Sequence, residues 1–386
     1  MLYETDGYVS EVRVSPDGEL IAFADHPQLG DNGGVVSVVD SSARKRILST
    51  TQSSILSLAW TPDGKEVWFS GSQPGLPASL NAVDLSGRQR VVARIPDSLV
   101  IQDIARDGRV LAINGTARVS TYVMGPGQIQ ERDLTIVNWT LLRAISRDGR
   151  TVLLEEQGAG SHPESDLYVR ASDGSPPVRI GQGNGWDFSP DLKWVLSTRG
   201  QLYRIPLGPG EAQQISHDSI DHQEAHFLPA GTSVVFTGIE PGHKSRIYVQ
   251  NVEGGVPRAI SPEGVTGSIP TADGKFVFGF SDVVALYPVD GNGPPKPVPG
   301  LRPDETIGGV SSDGRSIMVV QQPDPFALVV SRLDLTTGRR ELVKTIVPAD
   351  TAGVFQINVL FTPDYKWYAY AFNRILSELY TVDGLR

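Results

Sequence analysis

Cysteine is absent from all 386 residues, which removes disulfides, thiolate zinc sites and thiol nucleophiles together. A chain without thiols suits reducing and oxidising surroundings alike, so the compartment, cytoplasmic or extracytoplasmic, stays open. Positive charge is in deficit: 34 Lys and Arg stand against 44 Asp and Glu, a formal net charge of −10. Neutralising phosphates needs a basic face, so no nucleic-acid partner is expected, and docking on anionic lipid is disfavoured for the same reason. No apolar stretch approaches the ~20 residues of a membrane helix. The opening Met1–Gly7 lacks the basic and apolar regions of a signal peptide. The chain therefore reads as soluble, without direct membrane insertion. Glycine and proline are plentiful, 41 and 28 residues, as the turns of many short strands require.

One phrase organises the chain. Ser15-Pro16-Asp17-Gly18 and Thr61-Pro62-Asp63-Gly64 return, with variations, around Asp107, Asp148, Asp191, Ala230, Asp273, Asp313 and Asp364. Differences between these successive third positions run from 39 to 51 residues, close to the ~40–45 of a four-stranded propeller blade. Proline presets φ at the second position of a type I turn, and glycine accepts the left-handed residue that closes a short hairpin. Each aspartate is thus assigned a structural duty in its turn. Compact apolar runs follow, such as Val67-Trp68-Phe69, Val152-Leu153-Leu154 and Phe276-Val277-Phe278, as expected of strands covered on both faces. A third strand and a shorter, polar fourth, such as Arg258-Ala259-Ile260, complete a unit whose outer edge is protected. The expected fold is all-β: one closed propeller over residues 1–386, of four-stranded antiparallel blades. Nine blades are expected, with eight as the alternative. The N-terminal piece Met1–Thr5 is expected to supply the last blade's fourth strand and so latch the ring.

The repeat resembles the WD40-like repeat of TolB-type propellers. Narrower phrases, Arg13–Gly18, Ile220–Phe227, Glu240-Pro241-Gly242-His243 and the ending from Tyr368 to Leu385, resemble the propeller region that follows the kinase domain in a group of bacterial serine/threonine protein kinases. The resemblance implies a sensor or interaction module attached to, or acting with, a kinase. Phosphotransfer itself is not implied, because no His-Arg-Asp or Asp-Phe-Gly motif and no nucleotide loop with its lysine is present.

His222-Gln223-Glu224-Ala225-His226 invites a zinc reading, but a zincin needs His-Glu-x-x-His on a helix. On a strand, residues four apart lie roughly 13 Å from each other, too far to share one ion. No metal and no cofactor is expected. Gly71-Ser72-Gln73-Pro74-Gly75 carries its serine at the wrong place for a hydrolase elbow. The tryptophans Trp60, Trp68, Trp186, Trp194 and Trp367 read as packing between blades, while Trp139 is not placed by the repeat, exposure being one option. Candidate ligand-binding residues, at the channel or on one face, are Asp221, His222, Glu224, His226 and His243. Asp221 and His222 are the first choice for the channel lining. Two functions follow: a non-catalytic module that recognises a protein or small ligand, or a propeller lyase or hydrolase using Asp221, His222 and Glu224.

Overall fold

A computed structural model of the chain describes residues 1–28, 31–72, 78–94, 98–157 and 165–385. The phrase Gly71–Gly75 falls partly outside them, from Gln73 on. Among the described residues every regular element is a β-strand, and none is a helix. The strands form eight antiparallel sheets, most of them four-stranded in sequence order. The chain reads in sequence as undivided, yet its contacts separate two compact units, residues 1–117 with the segment from Ile375 on, and residues 118–374.

In the first unit, the sheets Tyr8–Ile47 and Ser54–Ala93 enclose Ala24, Val36, Leu58 and Phe69. Trp68, Leu80, Ile101 and Val110 form the next core. Met1–Thr5 form no strand, a correction to their expected role as latch. Tyr3 instead lays its ring 5.3 Å from that of Phe23, and its hydroxyl donates to Asp25 at 2.8 Å. Lys45 donates to the same carboxylate. The physical reason is local: a short segment with one aromatic gains most by covering the nearest sheet face.

In the second unit the consecutive residues of each second strand point to opposite faces. Leu153 packs with Val195, Leu196 with Phe236, Val235 with Val277, Phe278 with Val319 and Val320 with Tyr370. Ala371 then meets Leu154, which returns the sixth sheet to the first. Six sheets therefore close a ring within residues 118–374. Its latch comes from mid-chain. The C-terminal strand Tyr368–Val382 lies between Val354–Phe361 and Val110–Met124, with Tyr122 stacked 5.5 Å from Tyr370. Glu131 accepts hydrogen bonds from the hydroxyls of Tyr368, at 3.0 Å, and Tyr370, at 2.5 Å.

The repeated turn has one chemistry. In the first copy the Ser15 hydroxyl donates to Asp17 at 2.6 Å and accepts the Leu20 N–H at 2.9 Å. The Asp17 carboxylate also accepts the Glu19 N–H at 3.0 Å. Asp63, Asp148, Asp191, Asp273, Asp313 and Asp364 repeat the hydroxyl bond. Asp107 follows Ala105, which has no hydroxyl, and keeps only the backbone N–H of Arg109 at 3.1 Å, with the Arg109 side chain. Where the closing glycine is replaced, Leu192 and Tyr365 hold φ of 54° and 58°, conformations that ordinary side chains adopt at a cost of roughly 1–2 kcal/mol.

These bonds predict acid sensitivity. The hydroxyl of the preceding Ser or Thr holds Asp17, Asp63, Asp191 and Asp364 below the ordinary carboxylate range, with a backbone N–H adding to it. Backbone N–H groups lead at Asp107 and Asp313. Asp84, in the other hairpin turn, falls to about 2 through the Ser86 hydroxyl. A depressed carboxyl binds its proton more readily unfolded, so its contribution is whole above about pH 4 and is lost as pH falls toward the folded value. Chemical denaturation at stepped pH is expected to show stability falling progressively between about pH 4 and pH 2. A flat profile across that interval would contradict the arrangement.

Candidate functional site

A cavity of about 310 Å³ lies at the centre of the second unit's ring, lined from all six sheets. Its lining obeys one register. The residue four places before the third position of each turn phrase faces it: Ala144, Asp187, His226, Ile269, Gly309 and Leu360. Position fixes this, since the innermost strand of each sheet runs directly into its turn. Two neighbouring members of this layer carry ionisable side chains, Asp187 and His226.

Asp187 accepts the backbone N–H groups of Phe188 at 2.8 Å and Phe227 at 3.1 Å. Burial pushes its carboxyl above the ordinary value, against the opposing field of His226. His226 Nδ1 lies 2.9 Å from Ser268 Oγ. Serine, histidine and aspartate thus gather here, but Ser268 is wholly buried, out of a substrate's reach. At the rim the Arg143 guanidinium lies 5.4 Å from the centre of the Trp186 ring. Its Nε donates to the fully buried Glu155 at 2.7 Å, which also accepts the Gly185 N–H at 3.1 Å. Arg147 is exposed and stands where other copies of the turn carry proline. Among the described residues it is the cation of this lining that no side chain holds, with Asp187 within its electrostatic reach.

Of the five residues singled out from sequence, His226 alone lines this cavity. Asp221 is exposed at the start of the same strand. His222 is buried with its ring 4.7 Å from that of Phe236 and Nδ1 3.3 Å from the Gly200 carbonyl. A bulge between His222 and Ala225 breaks the simple alternation used to place them, which leaves Glu224 half-buried and off the lining. His243 is exposed, its Nδ1 2.8 Å from Glu263, in a surface cluster with Arg246. Among the described residues no three His, Cys, Asp or Glu side chains are grouped to hold a metal. Trp139, which the repeat leaves unplaced, is half-buried and packs beside Leu142 and Leu154. Asp187, Arg143 and Arg147 were missed from sequence, although the four-place offset from each turn would have found Asp187.

The sheet topology defines an all-β protein of the multi-bladed propeller class. No protein-family model and no curated protein matches the chain. Solved structures similar to it include TolB from Acinetobacter baumannii, 12% identical over 98% of this chain and 67% of that one, with a TM-score of 0.29. A putative TolB from Agrobacterium tumefaciens is 15% identical over 86% of this chain and 94% of that one, TM-score 0.32. An oligogalacturonate lyase from Vibrio parahaemolyticus is 12% identical over 67% of this chain and 98% of that one, TM-score 0.40.

Proposed function

We propose that the protein is a non-catalytic binding or sensor module, and that the mouth of the six-sheet cavity is its recognition site. The observation that carries this reading is the state of the polar groups there. Arg143 is tied to Glu155, His226 to a buried serine and Asp187 to two backbone N–H groups. Arg147 is left facing solvent. Groups committed to the scaffold give shape to a pocket, and a free guanidinium beside apolar walls suits an acidic group on an otherwise apolar partner. The finer reading, service to a kinase-type signalling system, draws its support from the phrases Arg13–Gly18 and Ile220–Phe227 and from the ending Tyr368–Leu385. A kinase domain and membrane helix encoded upstream is its test.

Affinity capture with the chain as bait decides the site. Arg147→Glu is expected to weaken capture of any partner held by the wild type by about tenfold or more, as reversal of a charge at a contact does. An exposed control, Arg44→Glu, is expected to leave it unchanged. Equal retention by both variants would remove the cavity mouth from consideration. Turnover on a panel of glycoside, ester and peptide substrates, abolished by His226→Ala, would replace this reading with the lyase or hydrolase one.

A further inference from the structure

Among the described residues, the outer strands of most sheets are short and guarded. The outer strands Lys45–Ile47, Gln89–Ala93, Gln213–Gln214, Arg258–Ala259, Lys296–Pro297 and Arg340–Ile346 run two to seven residues and carry Lys, Arg, Gln or Pro. These are the usual defences against edge-to-edge pairing. The strand Tyr368–Val382 runs 15 residues. Its neighbours are Val110–Met124 and Val354–Phe361, and the register with the latter ends at Arg374. From Ile375 to Val382 that edge has no strand partner among the described residues. The same stretch exposes Ile375 by 48%, Leu376 by 43%, Leu379 by 65% and Tyr380 by 44%. It carries one charge, Glu378, and no proline.

We infer that this bare edge is an interface with a second copy of the chain, the two strands pairing antiparallel about a two-fold axis at Leu379. Three constraints select the register. A two-fold axis through an antiparallel pair keeps each side chain on its own face, so one residue must lie opposite its own copy. Centring on Ser377 or any earlier residue would drive the second strand into Val354, which already occupies the edge at Arg374. Centring on Glu378 would set two carboxylates directly opposite, which destabilises. Centring on Leu379 avoids both, and it pairs more of the stretch Ile375–Val382 than centring on Tyr380 or Thr381 would. It sets Leu379 against its copy, Glu378 against Tyr380, Leu376 against Val382 and Ser377 against Thr381. The Glu378 carboxylate already accepts the Tyr380 hydroxyl within one chain, and the pairing offers that acceptor a second tyrosine across the interface. Backbone N–H and C=O groups that now face water become ladder bonds.

The absence of native cysteine makes the register directly readable. Opposed residues in an antiparallel pair have Cα atoms roughly 4.5–5.5 Å apart, within disulfide reach. Leu379→Cys is therefore expected to form a covalent dimer under mild oxidation. Ser377→Cys is expected to stay monomeric, because the two copies of that residue would lie roughly 13 Å apart along the strands. In sedimentation velocity the wild type is expected to dimerise with rising concentration. Leu379→Lys, at a position too exposed to disturb the fold, is expected to weaken that association by about tenfold or more. A wild type that stays monomeric up to its solubility limit overturns the inference, as does equal cross-linking at both positions.

Discussion

Gly149→Ala is expected to loosen the closure of the six-sheet ring and to lower its stability by about 3 kcal/mol. Gly149 ends the turn of the ring's first sheet with φ of 72°, where alanine is strained by roughly 1–2 kcal/mol. An added methyl would also fall inside the indole of Trp367, which immediately precedes the strand Tyr368–Val382 of the sixth sheet. Gly125 approaches the same indole from the latch side, and a methyl there would overlap the ring as well. Trp367 is thus a wedge between two glycines, one on each side of the closure. The two substitutions separate the effects: Gly125→Ala meets the ring alone, so it is expected to cost about 1–3 kcal/mol, the range for overpacking. In a Trp367→Leu background the cost of Gly125→Ala is expected to shrink to a few tenths. Denaturant unfolding followed by tryptophan emission measures all of these. A Gly125→Ala variant as stable as the wild type, with unshifted emission, would show that the indole has room to move.

Glu305→Ala is expected to cost about 3 kcal/mol, the lower end for breaking a buried ion pair. The Glu305 side chain is fully buried. Arg340 donates to both its oxygens, at 2.6 and 2.5 Å, and the Arg302 N–H adds a bond at 2.9 Å. Burial alone would raise this carboxyl, yet the bonds from Arg340 and Arg302 hold it below its ordinary value. Alanine leaves the Arg340 guanidinium, itself three-quarters covered, without its counter-charge. Glu305→Gln keeps an acceptor and the side-chain volume, so a smaller loss is expected. Thermal unfolding of both variants distinguishes the cases: equal and slight losses would mean that the pair is dispensable.

The turns were legible from sequence because their chemistry is local. A hydroxyl, a carboxylate and a left-handed residue within four positions dictate the hairpin wherever they occur. The apolar runs were legible too, since consecutive residues such as Leu153 and Leu154 serve different cores. The latch was not legible. Its contacts join Tyr122 and Glu131 to Tyr370, and an apolar strand carries no mark of which distant edge it will fill. Met1–Thr5 looked equally suited until Tyr3 found Phe23 and Asp25 nearby. At the candidate site His226 was visible as a polar residue in an inner strand, but the bulge after His222 shifted the faces of its neighbours. Asp187 was hidden among aromatic residues, and only the offset common to all six turns reveals it.

Making the ring depend on strands far apart along the chain has a consequence for biosynthesis. Glu131 and Tyr370 are 239 residues apart, and translation adds roughly 5–20 residues each second. The early strand therefore leaves the ribosome roughly ten to fifty seconds before its partner exists. Five sheets can stack as they emerge, but the circle stays open until the last one is made. During that interval the waiting surface is open to chaperones and to wrong pairings with other nascent chains.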